Sequence, residues 1–260
     1  MILYKYTNLN TAQKIITNST VRFTPPPELN DPFEISSLFY ESENRNYAAS
    51  ENHMRNIVIS LSYGILSLSR TPLNPLMWAH YAPGKKRPYK EAILLTQNNN
   101  THGGMVFGID TNLAGLDNEG QNVIPARFGS VIYTTTKPTN QFTHSEHPWL
   151  YDGTQFHFDP SLMEAIQRTF LYKSSHWSYE EEVRVVRNIH RREQIQEIDK
   201  NSIKEIYIGS GHRHSKDYLM RLNRKIKKSF PFCSVFICNI QDKEWSISAQ
   251  HLDDYLKQNS

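Results

Sequence analysis

Two glutamates, Glu180 and Glu182, form the sharpest chemical signal in the sequence, at the start of a segment in which valines alternate with charged residues. That alternation predicts a strand with one buried face, and in an extended chain the two carboxylates share a face. Adjacent carboxylates repel and rarely stabilise a fold, so the pair favours a catalytic role. Trp177 and Tyr179, directly before it, indicate a recognition loop. A solvent-exposed strand face with a cross-strand salt bridge is the alternative interpretation.

Hydroxyl and aromatic side chains make a second signal. Ser67 and Ser69 close a predicted strand, and the segment Leu76-Met77-Trp78-Ala79-His80-Tyr81 follows on a predicted helix that begins at Pro75. Hydroxyls at a strand end and aromatic rings one turn into a helix can form a slot for a flat heteroaromatic ring. The same apolar spacing is also typical of core packing.

Metal and nucleotide motifs of the common kinds are not found in the sequence. The glycines Gly209 and Gly211 lie between a predicted strand and a predicted helix, but His214 stands where a dinucleotide fingerprint needs its third glycine. The histidine pairs His212/His214 and His144/His147 have no third ligand at a suitable spacing. We therefore expect no metal ion.

The order of the predicted elements determines the fold class. Strands are predicted at 3–7, 21–24, 57–69 with a break near Gly64, 105–109, 130–133, 182–187, 203–208 and 234–240, and helices at 11–18, from Pro75 to Tyr81, at 160–173 and at 215–229. Strands dominate, and the helices are grouped early and late, which predicts an α+β fold. No compositional break marks a linker, so we expect one domain over residues 1–260, with loop insertions near 84–103 and 134–158.

Composition and charge narrow the class of protein. The chain has 260 residues, 38% of them hydrophobic, a formal net charge of +3, and neither a membrane-spanning apolar run nor a signal-peptide pattern. We therefore expect a cytoplasmic protein with no membrane partner. The charge is uneven, since residues 184–228 hold 13 basic and 5 acidic residues, and Lys85-Lys86-Arg87 forms a second basic group. This asymmetry is compatible with a polyanionic partner or, alternatively, with a solvated helix face.

Five short motifs, in the same order along nearly the whole chain, resemble a bacterial domain-of-unknown-function family, number 2971. They are Leu3-Tyr4-Lys5-Tyr6, Arg22-Phe23-Thr24-Pro25, Asn30-Asp31-Pro32-Phe33-Glu34, Leu76-Met77-Trp78-Ala79-His80-Tyr81 and the stretch from Trp177 to Arg184. The departures from the family pattern are mild: Thr24 replaces a serine, Leu29 a phenylalanine and Val183 a tryptophan.

That family in turn is similar to the ADP-ribosyltransferases, a resemblance that implies a mixed and antiparallel β core with flanking helices. It also implies NAD as a consumed substrate, with Glu182 as the catalytic carboxylate and Glu180 orienting the nucleophile or accepting its proton. The other implied NAD-binding residues are Lys5, Tyr6, Arg22, Asn30, Asp31, Ser67, Ser69, Trp78, His80 and Tyr81. Lys5 and Tyr6 occupy a first-strand position that in the superfamily usually holds histidine or arginine.

The acceptor of the transferred group is predicted from the basic stretches beside this site. A single-stranded RNA or DNA base is expected, contacted by Trp177, Tyr179, Arg184, Lys85, Lys86 and Arg87. The resemblance further implies a bacterial toxin or anti-phage effector, with an antitoxin protein as a possible partner. Three alternatives stay open: a protein-modifying transferase, a non-catalytic nucleotide-binding module, and a glycosidase that uses Glu180 and Glu182 as its carboxylate pair.

Overall fold

The computed structural model describes residues 1–31, 33, 57, 59, 61–84, 102–137, 167–189, 193–210 and 215–258. Within these ranges the strands are β1 (Ile2–Thr7), β2 (Thr20–Arg22), β3 (Tyr63–Ser69), β4 (Met105–Asp110), β5 (Ile132–Thr134), β6 (Tyr172–Ser174), β7 (Glu182–Asn188), β8 (Ile195–Glu197), β9 (Ile203–Ile208), β10 (Ser234–Ile240) and β11 (Ile247–His251). The α-helices described over their whole length are α1 (Leu9–Asn18), α2 (Pro75–Tyr81), α3 (Lys216–Ser229) and α4 (Leu252–Gln258). Residues 57, 59, 61, 62 and 167–170 are helical as well. The predicted α+β class is confirmed.

The chain forms two compact units, each assembled from separate segments. Unit 1 contains Met1–Thr20, Leu68–Ala114 and Glu197–Ser260, and unit 2 contains Val21–Ser67 and Gly115–Gln196. The expectation of one domain over residues 1–260 stays a prediction. Most of the two predicted loop insertions lies outside the described residues.

Unit 1 is built on five strands in the order β11-β10-β9-β4-β1. Neighbouring strands are antiparallel except β9 and β10, which are parallel and are connected through α3. Parallel neighbours need such a crossover because a tight turn cannot reverse the chain between them. At the other end of this order, Tyr4 of β1 pairs with Ser69, the last residue of β3.

The helices of unit 1 begin where side chains cap them. Asn8 accepts a hydrogen bond from the backbone N–H of Thr11, and α1 begins two residues before the start predicted at 11. Asn74 caps α2 in the same way, and Pro75 occupies its first turn. Both caps satisfy backbone donors that the helix itself leaves unpaired. No described helix is long and apolar enough to cross a membrane.

Unit 2 places β3 beside β7, and β5 runs parallel to β6. Two isolated bridges attach the segment before β5 to β7: Ser130 pairs with Val183, and Ile124 pairs with Val186. The core beneath these strands is formed by Ile59, Tyr63, Ile65, Ile124, Phe170, Leu171 and Val186. This packing fixes the beginning of β7, where Glu182 lies.

Two sequence predictions in unit 2 are wrong. The strand predicted from residue 57 begins only at Tyr63, next to the predicted break near Gly64, because residues 57, 59, 61 and 62 are helical. Gly64 lies inside β3, where an added Cβ would come within 2.8 Å of the Phe23 Cβ. Close packing, rather than a chain break, explains this glycine. The helix predicted for 160–173 ends by residue 170 in the described part of that range, and Tyr172 and Lys173 belong to β6.

Candidate functional site

A buried lysine joins the two glutamates of unit 2. The Lys173 Nζ donates to the Glu180 Oε2 at 2.6 Å and to the Glu182 Oε2 at 3.0 Å. The exposed fractions of these side chains are 2% for Lys173, 4% for Glu180 and 5% for Glu182. One ammonium group therefore neutralises the repulsion that two adjacent carboxylates would otherwise produce.

Arg184 completes what we call the carboxylate cluster, which consists of Lys173, Glu180, Glu182 and Arg184. Its guanidinium binds the Glu182 carboxylate through two donors, Nε to Oε1 at 2.9 Å and Nη2 to Oε2 at 3.1 Å. The remaining terminal nitrogen, Nη1, donates to the backbone oxygen of Phe170 at 2.7 Å. The cluster thus holds two positive and two negative charges.

The local backbone explains how both carboxylates reach the same lysine. Glu180 ends a short 3-10 helix, Ser175–Glu180, and Glu181 adopts the left-handed conformation with a φ of 45° before β7 begins at Glu182. The expectation of an extended chain through both glutamates is therefore wrong. The carboxylates nevertheless meet, because the turn at Glu181 directs both of them toward Lys173 on β6.

The environment of Glu182 holds its carboxyl group in the ionised form. Burial alone would raise the pKa, but the charges of Arg184 and Lys173 and a hydrogen bond from Ser67 hold the pKa of Glu182 far below its ordinary value. The backbone N–H of Glu182 also donates to the Tyr133 hydroxyl at 2.9 Å. Burial raises the pKa of Tyr133 to about 12, so this phenol stays neutral near pH 7.

Two aromatic side chains lie beside the cluster. The centroid of the Trp177 ring lies 5.1 Å from the Lys173 Nζ. The centroids of the Trp177 and Tyr179 rings are 6.1 Å apart. Both aromatic side chains are half-buried. A cation over the face of an indole is an attractive contact, so Trp177 also helps to hold the lysine in place.

The acceptor-contacting role predicted for Arg184 is contradicted by its burial. Its side chain is 1% exposed, and its guanidinium is bound to Glu182 and Phe170. Arg184 therefore positions and neutralises Glu182 and does not face a polymer. The other predicted basic contacts, Lys85, Lys86 and Arg87, lie outside the described residues.

The NAD-binding residues predicted in unit 2 are distributed unevenly around the cluster. Ser67, near the end of β3, bonds to Glu182 and is half-buried. Arg22 is exposed and binds Glu28 and Gln194. Asn30 is exposed, and the buried Asp31 accepts from the backbone N–H of Phe33 at 2.9 Å. Ser67 thus contacts the cluster directly, through Glu182.

The other predicted NAD-binding residues belong to unit 1. The Tyr6 hydroxyl donates to the backbone oxygen of Thr71 at 2.8 Å, and the Ser69 hydroxyl also contacts Thr71. Lys5 and Tyr81 are half-buried, and His80 is exposed.

Trp78 does not offer the ring face that the sequence predicts. Its side chain is fully buried, its indole N–H donates to the backbone oxygen of Pro72 at 2.8 Å, and its ring meets Tyr6 edge to face. The core-packing alternative is therefore correct for Trp78, and a stacking role is not supported.

Lys173 and Tyr133 are the site residues that sequence reasoning missed. Lys173 falls at the end of a stretch predicted as a helix, and a single lysine there has no distinguishing pattern. Tyr133 falls in a predicted strand, and its residue type and position indicate no role. Among the described residues, no group of three or more His, Cys, Asp or Glu side chains is placed to hold a metal ion.

Residues 77–185 match the model of a family described as Protein of unknown function (DUF2971). This match supports the assignment of the chain to the family that its motifs resemble. The matched DUF2971 range includes all four residues of the carboxylate cluster, so the cluster lies within the part of the chain that carries the family pattern. No curated protein and no solved structure matches the chain. The more distant relationship to ADP-ribosyltransferases stays a prediction.

Proposed function

We propose that this DUF2971 protein is an NAD-dependent ADP-ribosyltransferase with an ADP-ribosyltransferase-like core. The observation that carries the proposal is the hydrogen bond between Ser67 and Glu182. The resemblance implies that a strand rich in hydroxyl residues and a glutamate later in the chain contribute to one site. Ser67 on β3 and Glu182 on β7 correspond to these two groups, and they are in contact. Neighbouring strands explain the contact, although 115 positions separate the residues in sequence.

The proposed chemistry depends on the charge of Glu182. Cleavage of the nicotinamide–ribose bond of NAD places positive charge on the ribose, and a fixed carboxylate stabilises that charge more than it stabilises the ground state. The positive charges of Arg184 and Lys173 keep the carboxyl group of Glu182 in its ionised, deprotonated form. Glu180, on the other side of Lys173, would orient the nucleophile or accept its proton. NAD is consumed as a substrate.

The glycosidase alternative is less compatible with the arrangement of the two carboxylates. An inverting pair leaves roughly 6.5–9.5 Å between its carboxyl groups to admit a water molecule. Here Lys173 Nζ binds both Oε2 atoms within 3.0 Å and occupies the space between them. Water cannot take that position while the ammonium group holds it.

A charge-removing substitution tests the proposal. Glu182→Gln keeps the shape of the side chain but removes its negative charge, and we expect it to abolish label transfer from NAD labelled in its adenine to bacterial lysate. A lost electrostatic contact of this type costs about 2.7–4 kcal/mol in the barrier. The matched control is Glu181→Gln, because Glu181 is an exposed neighbour outside the cluster.

Folding must be measured beside activity, since Glu182 is also part of a buried ion network. A Glu182→Gln protein that retains the near-ultraviolet circular dichroism of the wild type and transfers label at the wild-type rate would contradict the assignment. Loss of transfer in Glu181→Gln as well would show that the assay reports stability rather than chemistry.

A single-stranded nucleic acid is the proposed acceptor. Trp177 and Tyr179 lie next to the carboxylate cluster and can stack on unpaired bases, at roughly 1–3 kcal/mol per base. Unit 1 separately carries exposed basic residues on α3, a type of helix face that binds phosphates. Treatment of the labelled lysate with protease, RNase or DNase identifies the polymer. Label removed by protease alone would instead establish a protein-modifying transferase.

A non-catalytic nucleotide-binding module is the second candidate, and the burial of Glu182 favours it. Its carboxylate is 5% exposed and already accepts from Arg184, Lys173 and Ser67. A module of this kind would bind NAD and return it intact, with no label on any macromolecule. Retention of radiolabelled NAD without turnover would therefore favour the module.

A role as a bacterial toxin or anti-phage effector extends the transferase proposal. An unrestrained transferase would modify the molecules of its own cell, so expression in bacteria should arrest growth. The substitution Glu182→Gln should relieve that arrest at equal protein levels. An antitoxin protein would then be sought by co-purification from cells that tolerate the wild-type chain.

A further inference from the structure

The strand β11 lies at the edge of the sheet of unit 1, where β10 is its neighbour in the described strand order. The two strands pair in one continuous register, from Phe236 opposite His251 to Ile240 opposite Ile247. Proteins commonly protect such an edge with a proline, a lysine or a bulge, because an open edge pairs readily with another chain. The sequence of β11, Ile-Ser-Ala-Gln-His, contains neither proline nor lysine.

The hydrogen-bond pattern shows which backbone groups of β11 point away from the sheet. In an antiparallel pair, positions that exchange backbone hydrogen bonds with the neighbouring strand alternate with positions that do not. The Gln241 N–H donates to the Ser246 oxygen at 3.1 Å, so every second residue from Ser246 onward bonds to β10. The N–H and C=O groups of Ile247 and Ala249 therefore point outward, and the described part of the chain supplies no backbone partner for them.

Two large apolar side chains lie exposed at the turn that joins β10 to β11. Trp245, in this turn, is 103% exposed, and Ile240, the last residue of β10, is 56% exposed. Covering such side chains removes apolar surface from water, and tryptophan is enriched among the residues that contribute most to binding at interfaces. The edge of the sheet thus combines outward backbone groups with apolar surface.

The charges at both ends of β11 are mainly acidic. The exposed charged residues of the turn and of α4 are Asp242, Lys243, Glu244, Asp253, Asp254 and Lys257. Each end therefore attracts a positively charged ligand. A second copy of β11, paired antiparallel, would place the acidic turn of one chain beside the acidic start of α4 in the other. Like charges in such positions are destabilising, so a second copy is a poorer fit.

We propose that β11 binds an extended, positively charged segment of a protein partner, which adds to the sheet of unit 1 as a further strand. Hydrogen bonds to the outward backbone groups of Ile247 and Ala249 hold the segment. An apolar side chain of the segment packs on Trp245, and lysine or arginine residues at its ends meet the acidic groups. This surface lies outside the carboxylate cluster and is independent of the proposed transferase activity.

Titration of the full chain with a short peptide, followed by backbone amide chemical shifts in nuclear magnetic resonance, tests this surface. Acetyl-Lys-Val-Thr-Val-Lys amide should produce saturable shifts on β11 and slow the hydrogen exchange of the Ile247 and Ala249 amides. Glutamate in place of both lysines should weaken binding several-fold, and added salt should reduce that difference. Absence of saturable shifts, or equal binding of the two peptides, would overturn the proposal.

Two variants test the strand pairing and the apolar contact separately. Ala249→Pro removes an outward N–H without breaking a bond to β10, so it should weaken binding of the lysine peptide about fivefold. Ala249→Thr keeps the N–H and is the matched control. Trp245→Ala changes a side chain that is 103% exposed, so it leaves the fold intact and should also weaken binding several-fold. If neither Ala249→Pro nor Trp245→Ala changes the affinity, the site is wrong.

Analytical ultracentrifugation of the chain alone distinguishes a partner segment from a second copy. We expect a sedimentation coefficient that is the same for wild type and Ala249→Pro at micromolar concentrations. A dimer that Ala249→Pro dissociates would show that β11 pairs with itself and would overturn the proposed partner. None of these results depends on NAD turnover.

Discussion

At the scale of single residues, the carboxylate cluster is held together by Lys173. Replacing one partner of a buried ion pair leaves the others without compensation, at a cost of about 3–5 kcal/mol. We therefore expect Lys173→Met to lower the free energy of unfolding by that amount at pH 7, measured by urea denaturation. Lys173 lies 2% exposed between the two carboxylates, so solvent cannot replace it.

A double variant provides the control for this prediction. Lys173→Met combined with Glu180→Gln removes one cation and one anion together, so it should lose less stability than Lys173→Met alone. A loss below about 1 kcal/mol in the single variant, which is the range of exposed pairs, would contradict a buried structural role for the cluster.

The ionisation of Glu182 predicts how stability depends on pH. Its pKa is lowered in the folded chain relative to the ordinary value of 4.5, so its ionised form contributes stability above pH 4.5. That contribution is lost as the pH falls below 4.5 toward the pKa of the folded state. Glu182→Gln should therefore be less stable than wild type at neutral pH and should lose less additional stability on acidification.

Urea unfolding between about pH 7 and about pH 3 measures this difference, with Glu181→Gln as the control that keeps the cluster intact. If wild type and Glu182→Gln lost stability in parallel across this range, the strong ionisation of Glu182 would be refuted.

At the scale of elements, Ser19, the residue directly after α1, has a backbone conformation that serine does not favour. Ser19 adopts the left-handed conformation with a φ of 55°, and its buried hydroxyl has no hydrogen-bond partner among the described residues. Ser19→Gly relieves the conformational strain and removes the unpaired hydroxyl, so it should raise the free energy of unfolding by about 1 kcal/mol.

Ser19→Ala separates the two causes, because alanine removes the hydroxyl but keeps the Cβ. It should therefore be less stabilising than glycine. The backbone bonds of Ser19, from its N–H to Ile15 and from the Ile198 N–H to its oxygen, are the same in both variants. A decrease in the midpoint of thermal unfolding for Ser19→Gly would contradict this explanation.

At the scale of the whole molecule, the proposed polyanionic acceptor predicts a salt dependence. Arg221, Arg224 and Lys225 are exposed on α3. If they contact phosphates, replacing all three with glutamine should reduce the slope of log affinity against log salt for a single-stranded oligonucleotide by about 2. Fluorescence anisotropy at several salt concentrations measures the slope. An unchanged slope would exclude α3 from the nucleic-acid interface.

The sequence by itself determined about half of the described strands and α-helices and the presence of the glutamate pair. Periodicity and turn chemistry are local properties, so β1, β4, β7, β9, β10, α2 and α3 agree with their predictions to within a few residues. The motif order likewise identified the family that the comparison confirms. The side chains that surround the glutamates were not predictable in the same way.

Only the tertiary structure decided that Lys173 lies between Glu180 and Glu182, that Arg184 is buried, and that Trp78 belongs to the core. Each of these outcomes depends on strands and loops distant in sequence: Ser67 reaches Glu182 because β3 neighbours β7, and the Tyr133 hydroxyl accepts from the Glu182 backbone across 49 positions. Burial and ion pairing are properties of the packed chain. A sequence period of two residues specifies the face on which a side chain lies, but not what covers that face.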